Sequence, residues 1–179
     1  MRNDIDHVLY DEATIAAKVR ELGTVITKDY EGKEPFLIGV LKGCFVFMSD
    51  LARAIDLNCD IDFMAVSSYG SGTTTTGAVQ IKKDLSRDIE GRDVIIIEDI
   101  LDSGVTLSYL KSYLGNRNPA SIRICTLMDK PARRKADIVA DYIGFVCPDE
   151  FVVGYGLDYA EQYRALPYIG VLKPEIYTK

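Results

Sequence analysis

Three carboxylates and a group of small hydroxyl-bearing residues stand together in the middle of the chain. Residues 94–106 read VIIIEDILDSGVT: an apolar run, the adjacent acids Glu98 and Asp99, a third acid at Asp102, and then Ser103-Gly104-Val105-Thr106. Glu98 and Asp99 supply oxygens that accept from sugar hydroxyls and that a hard divalent cation takes as ligands. Ser103, Gly104 and Thr106 fall where a helix would begin. There, unpaired N–H groups and the positive end of the helix dipole form a seat for a phosphate monoester. Gly104 permits close backbone approach, and the two hydroxyls add donors. On stability alone, the acids would merely end a strand and Asp102 or Ser103 would cap a helix. Three carboxylates crowded at a helix entrance repel one another, however, unless a cation stands among them.

Other phosphate chemistries are excluded by what is missing. The chain has no G-x-x-x-x-G-K-[ST], and Gly70/Gly72 and Gly154/Gly156 lack the third glycine of a dinucleotide fingerprint. His7 is the single histidine and lies in a polar segment, which leaves no ground for a Ser-His-Asp or Cys-His nucleophile.

The elements that must position these residues follow from periodicity. Ile15, Val19, Leu22 and Ile26 recur at helical spacing behind Asp11, a plausible N-cap, and predict a helix over 11–29. Phe36 to Leu41 predicts a buried strand, broken by Lys42-Gly43, with a helix over 45–55. Ile61, Phe63 and Ala65 alternate with Asp60, Asp62 and Met64, as in a strand with two unlike faces. Residues 68–78, SYGSGTTTTGA, predict a long loop of the kind that serves as a lid, with a strand resuming at Val79 and Ile81. Val94 to Ile97 is a β-branched run suited to a central strand covered on both faces. Leu107, Leu110 and Leu114 predict a helix ending at Gly115, and short strands are expected over 122–127, 142–147, 151–153 and 168–172. Strands alternating with helices predict an α/β fold, with a central, mostly parallel twisted sheet flanked by helices. In such sheets ligands sit at the carboxyl ends of the strands.

Composition sets the outer bounds. The 179 residues suit one domain at roughly 150 residues per domain. Hydrophobic residues at 47% and charged residues at 27% are ordinary for a folded core and argue against disorder. A net charge of −6 disfavours nucleic acid as a partner, since displacing counterions needs a basic face. Cys44, Cys59, Cys125 and Cys147 show no C-x-x-C spacing and flank or enter apolar runs, so buried free thiols in a reducing compartment are expected rather than zinc. No apolar run approaches the roughly 18 residues of a membrane span. The first ten residues carry acids where an export signal needs an apolar stretch. The expectation is a cytoplasmic protein without a membrane partner.

The 94–106 string closely resembles the phosphoribosyl pyrophosphate-binding motif of type I phosphoribosyltransferases, and the likeness extends over nearly the whole chain to the bacterial-type 6-oxopurine branch. Leu41-Lys42-Gly43 resembles the pyrophosphate loop, and Ser68-Tyr69 the tip of the catalytic lid. Lys130, Phe151-Val152-Val153-Gly154-Tyr155 and Leu157-Asp158-Tyr159 resemble the base-binding hood. The resemblance implies one phosphoribosyltransferase domain over 1–179, with a small hood built from the N-terminal segment and residues 145–179. It implies transfer of a phosphoribosyl group to hypoxanthine and guanine in purine salvage, with IMP or GMP and pyrophosphate as products and Mg2+ as cofactor. By resemblance, Glu98 and Asp99 bind the ribose hydroxyls and the associated metal, and Asp158 supports a second Mg2+ through water. Asp102 is the general base at ring nitrogen 7, which requires desolvation to strengthen it. Ser103, Gly104, Val105 and Thr106 cradle the 5′-phosphate. Lys130 presents only donors and so selects a ring oxygen over the amino group of adenine. Phe151 stacks on the purine, while the carbonyls of Val152 and Asp158 accept from a guanine amino group. Lys42, Gly43 and Arg164 hold pyrophosphate, and the Leu41–Lys42 bond is expected to be cis. The resemblance also implies a homodimer or homotetramer. Two other readings fit the sequence less well: a phosphoribosyltransferase-like nucleotide-sensing regulator, which needs a basic surface, and a receiver domain, whose acid pair follows the first strand.

Overall fold

The computed structural model describes residues 1–68 and 79–178, of Ser68 the backbone alone. The lid expected over 68–78, Tyr69 included, lies outside the described residues. A strand β1 (Ile5–Tyr10) opens the chain, followed by α1 (Glu12–Asp29), β2 (Phe36–Leu41), α2 (Phe45–Ala54), β3 (Asp60–Ser68) and β4 (Val79–Lys83). Then come β5 (Asp93–Leu101), α3 (Val105–Gly115), β6 (Ser121–Asp129), β7 (Tyr142–Val146), β8 (Val152–Val153), β9 (Ile169–Leu172) and α4 (Pro174–Tyr177). Six strands form the main sheet in the order β4-β3-β2-β5-β6-β7. All neighbours in it run parallel except β3 and β4, so the sheet has one antiparallel edge. A second, antiparallel sheet has the order β1-β9-β8.

The β-branched run of β5 explains the layers. Successive side chains of a strand point to opposite faces. Ile95 and Ile97 go to one face with Leu22 and Ile26 of α1 and Phe47 and Leu51 of α2. Val94 and Ile96 go to the other face with Leu107, Leu110 and Leu114 of α3. Both faces are therefore dry, as parallel strands require. Asp11 starts α1 as the periodicity predicted, its carboxylate accepting from the Thr14 N–H at 2.8 Å. The second sheet packs a smaller cluster of Val153, Tyr163, Leu166 and Leu172.

Two expectations need correction. The N-terminal segment, read as polar, contains β1, whose register pairs Ile5 with Leu172 and Tyr10 with Ile169. In addition, β5 does not end with the acid pair but runs on to Leu101. Its pairing with β2 ends at Ile97, opposite Gly39, but β6 continues, with Glu98 opposite Thr126 and Leu101 opposite Asp129. Glu98 and Asp99 therefore ride on a strand whose other side has been vacated. β2, β5 and β6 end toward one edge, and that edge carries the loops that begin at Lys42, Asp102 and Lys130.

Leu110 is fully buried between α3 and the sheet. Leu110→Ala is expected to lower the unfolding free energy by about 2–5 kcal/mol, read as a fall in the chemical denaturation midpoint with an unchanged slope.

Candidate functional site

The acid pair is the most constrained feature of the site. Glu98 Oε2 is shielded from solvent and has no hydrogen-bond partner. Burial pushes the Glu98 carboxyl well above the usual carboxylate range, and the nearby charges of Asp99 and Asp102 push the same way. Asp99 is pushed up to about 6, chiefly by burial, although the Ile100 N–H and the Arg164 guanidinium pull it down. Its Oδ1 accepts from the Ile100 N–H at 2.7 Å. The loop leaving β2 fills the vacated side of β5. Its Leu41–Lys42 peptide bond is cis, as expected, and a Cβ on Gly43 would fall 1.7 Å from Asp99 Oδ2. Only glycine fits there while the Asp99 carboxylate holds this position.

Asp102 does not cap α3. Its carboxylate accepts from the Ser103 N–H, and the cap position is taken by Gly104 at φ 76°, with no side-chain cap bond. Ser103 Oγ makes a long contact of 3.4 Å with the Val105 N–H. A side chain at position 104 would clash with Ile138, since its Cβ would lie 2.5 Å from Ile138 Cγ2. The start of α3 thus leaves its first N–H groups without side-chain caps, apart from the long Val105 contact. Such an end favours an anion.

Two clefts meet here. One, of about 280 Å³, is lined by Gly43, Glu98, Asp99, Asp102, Gly104 and Thr106, among others. The second, of about 560 Å³, is lined by Asp102, Ser103, Lys130, Phe151, Val152 and Asp158, among others. Asp99, Ile100 and Asp102 line both. Lys130 is not a solvated surface charge: its side chain is only 12% exposed. Its Nζ donates to the Glu150 carbonyl at 2.7 Å and lies 3.5 Å from Asp149 Oδ1. Those partners leave a third N–H for a ligand. Phe151 keeps part of its ring exposed, while Val152 is buried in β8.

Arg164 donates to the Gly156 carbonyl at 2.8 Å and forms an ion pair with Asp158 Oδ1 at 2.9 Å, and its Nε is buried without a partner. Lys42 lies next to it through Glu161, whose Oε2 is 3.1 Å from Lys42 Nζ and 3.3 Å from Arg164 Nη2. Sequence reading did not single out Glu161, which reads as one more exposed acid in a loop; its part in joining the two cations depends on a φ of 62°. Nor did it find the Glu150 carbonyl, since a main-chain acceptor leaves no mark in residue type.

Among the described residues, no three His, Cys, Asp or Glu side chains converge into a ready metal cage. Mg2+ commonly takes one or two carboxylates and completes its shell with water and phosphate oxygens. The unpartnered Glu98 Oε2 beside Asp99 fits that manner of binding. Asp158 is instead engaged by Arg164 and by the Glu161 N–H at 2.9 Å.

A buried acid pair at the end of a central strand, followed by an uncapped helix start, defines a class of fold and site. The chain belongs to the phosphoribosyl transferase domain family, whose model matches residues 8–160. It is 58% identical over 177 residues to the hypoxanthine-guanine phosphoribosyltransferase of Bacillus subtilis, covering 99% of this chain and 98% of that protein. A crystal structure of a hypoxanthine phosphoribosyltransferase from Staphylococcus aureus superposes with a TM-score of 0.97 at 56% identity, covering 100% of this chain and 97% of the other. The chain also spans 28% of the length of the bifunctional protein TilS/HprT of Listeria monocytogenes, 57% identical over 179 residues. No helix among the described residues is long and apolar enough to cross a membrane.

The raised Asp99 carboxyl sets a pH dependence. With its folded value near 6 and an ordinary value of 3.8, the ligand-free fold binds this proton more tightly than the unfolded chain does. The group therefore costs stability above pH 6, and that cost fades as pH falls toward 4. Asp99→Asn is expected to raise the Tm of the ligand-free protein at pH 7.5 by on the order of 5 °C, with the gain shrinking below pH 6. Thermal melts across pH 4–8 check it; equal Tm values at pH 7.5 would remove the buried charge from the account.

Proposed function

We propose that the chain transfers the 5-phosphoribosyl group of phosphoribosyl pyrophosphate to hypoxanthine and to guanine, giving IMP or GMP and pyrophosphate, with Mg2+ as cofactor. The observation that carries this reading is the meeting of the two clefts at Asp102. One has a phosphate seat and sugar-binding acids; the other has a donor-only lysine and an exposed aromatic face. A carboxylate at their junction stands where a bond between sugar and base would form.

The roles in this reading are those the family resemblance implies, and the positions of the side chains are compatible with them. The N–H groups and hydroxyls of residues 103–106 seat the 5′-phosphate. Glu98 accepts from a ribose hydroxyl, which gives its buried oxygen the partner it lacks. When bound at Glu98 and Asp99, Mg2+ would neutralise charge on the departing pyrophosphate oxygens. Lys42, the Gly43 backbone and Arg164 hold that pyrophosphate, and Glu161 must yield its place between the two cations. Asp158 would help to hold a second Mg2+ once released from Arg164. Phe151 stacks on the purine and Lys130 donates to its ring oxygen. The carbonyls of Val152 and Asp158 accept from the guanine amino group. Asp102 takes the proton from ring nitrogen 7 as the base bonds to the sugar. Ser68 and Tyr69 belong to the lid that excludes water from the activated sugar. The β1-β9-β8 sheet serves as the hood over the base.

The nucleotide-sensing alternative gains nothing from a net charge of −6. The cysteines are free, with Cys44, Cys125 and Cys147 buried, which suits the reducing cytoplasm. A homodimer or homotetramer is part of the same reading. Phe45 is 45% exposed beside a groove of about 400 Å³ that Ile15, Val46 and Leu166 help to line.

Nucleotide formation from phosphoribosyl pyrophosphate and each purine base tests the reading. IMP and GMP are expected to form and AMP to be negligible; no turnover with any oxopurine would overturn it. In the same assay, Lys130→Gln should erode the preference for hypoxanthine over adenine by tenfold or more while leaving the KM for phosphoribosyl pyrophosphate within about twofold. Glutamine offers an acceptor as well as a donor, so adenine no longer meets donors alone.

Asp102→Asn keeps side-chain size and an oxygen for the Ser103 N–H but loses the proton acceptor. General acid–base steps contribute 10²–10⁴-fold, and a fall in kcat on the order of 10²-fold is expected with the Tm nearly unchanged. Single-turnover rates and melts on that variant check both halves.

A further inference from the structure

The aromatic face assigned to the purine is itself backed by a second ring. Tyr177, the last residue of α4, lies face to face with Phe151: the ring centroids are 4.8 Å apart and the planes differ by 22°. Tyr159 stands at right angles to the same ring, at 5.5 Å and 89°. Phe151 lines the larger cleft, whereas neither tyrosine is among the described residues lining it. One face of Phe151 is thus covered by Tyr177, and its partly exposed ring still lines the cleft. The remaining face is the one left for a ligand in the cleft.

The backing ring is anchored at several points. The Phe151 carbonyl accepts from the Leu172 N–H at 2.8 Å, which fixes the start of β8 against β9. Just beyond, the Lys173 N–H donates to the Asp4 carbonyl at 2.9 Å, and the Ile176 N–H donates to the Lys173 carbonyl at 3.0 Å. Ile176 packs on the cluster formed by Val153, Tyr163, Leu166 and Leu172. Tyr177 is therefore carried to Phe151 by a short, internally bonded turn that leaves the hood sheet and returns to it.

A phenyl side chain that is 37% exposed has a broad terminal torsion and can swing. Stacking on a flat base needs the ring plane held parallel to that base. We propose that Tyr177 is a positioning residue for the purine: by stacking on the far face of Phe151 it sets the plane on which the base lies. This rests on the base-binding reading of the larger cleft given above. Tyr177 touches no reacting atom, so its effect falls on base affinity and not on the chemical step. The stack uses the ring and not the hydroxyl.

Steady-state kinetics of Tyr177→Ala, Tyr177→Leu and Tyr177→Phe test the proposal. Tyr177→Ala is expected to raise the KM for hypoxanthine about five- to tenfold, with kcat and the KM for phosphoribosyl pyrophosphate within about twofold of the parent. Tyr177→Phe should match the parent. Tyr177→Leu keeps apolar bulk against the hood but has no flat face, so it should show the same split, and it carries the test if the alanine variant fails to fold. An unchanged KM for hypoxanthine, an equal rise in both KM values, or a failure of phenylalanine to restore the parent value would overturn the role of Tyr177. A parent protein that forms no nucleotide would instead strike the proposed reaction, so the two failures are told apart.

Discussion

Two adjacent carboxylates held away from water are the constraint on which the rest of this site is arranged. Desolvating a charged group costs far more than most contacts return unless it is paired. Glu98 Oε2 has no partner within the described residues, and Asp99 has one backbone donor together with a nearby guanidinium. The geometry around them propagates through glycines. The Asp99 carboxylate requires a bare Cα at Gly43. The Gly43 carbonyl in turn requires one at Gly156, where φ is 101° and a Cβ would lie 2.2 Å from that oxygen. A strand end in the main sheet, the loop after β2 and the loop between β8 and β9 are thereby locked to one another. The last of these also presents Asp158 and Arg164. The acid pair costs the ligand-free fold stability, and a cation and a sugar would supply the missing partners.

The same arrangement explains why charged residues at the edge are not ordinary surface groups. Lys130 is held by the Glu150 carbonyl, and Arg164 by Gly156 and Asp158. Each keeps donor capacity unspent: a third N–H on Lys130 and the buried Nε of Arg164. A cation already held by neighbouring acceptors, with a donor to spare, is oriented for a ligand before it binds. Little conformational entropy is then lost on binding.

Most of the scaffold was legible because its signals are local. The β-branched run of β5, the apolar stripe of α1 behind Asp11 and the leucines of α3 each declare an element by periodicity. The end of β5 was not legible. Whether Glu98 and Asp99 end the strand or lie within it depends on β2 departing while β6 continues, which is a long-range pairing fact. Strand β1 was missed because it exists by pairing with β9, at the far end of the chain. Of the candidate site, the residue types around 98–106 pointed to phosphate and sugar chemistry by themselves. Lys130, Arg164 and Phe151 gained their roles only through resemblance, since a lone lysine, arginine or phenylalanine has a bland reading available. Glu161, the Glu150 carbonyl and Tyr177 left no signal, because their parts depend on where the chain returns in space.

A crystal structure of the protein with Mg2+ and phosphoribosyl pyrophosphate tests the central claim most directly, at one atom. The account predicts Glu98 Oε2 within about 3 Å of a ribose hydroxyl oxygen, with the 5′-phosphate on the N–H groups of residues 104–106. A ligand bound elsewhere on the edge, with Glu98 Oε2 still unpartnered, would contradict it.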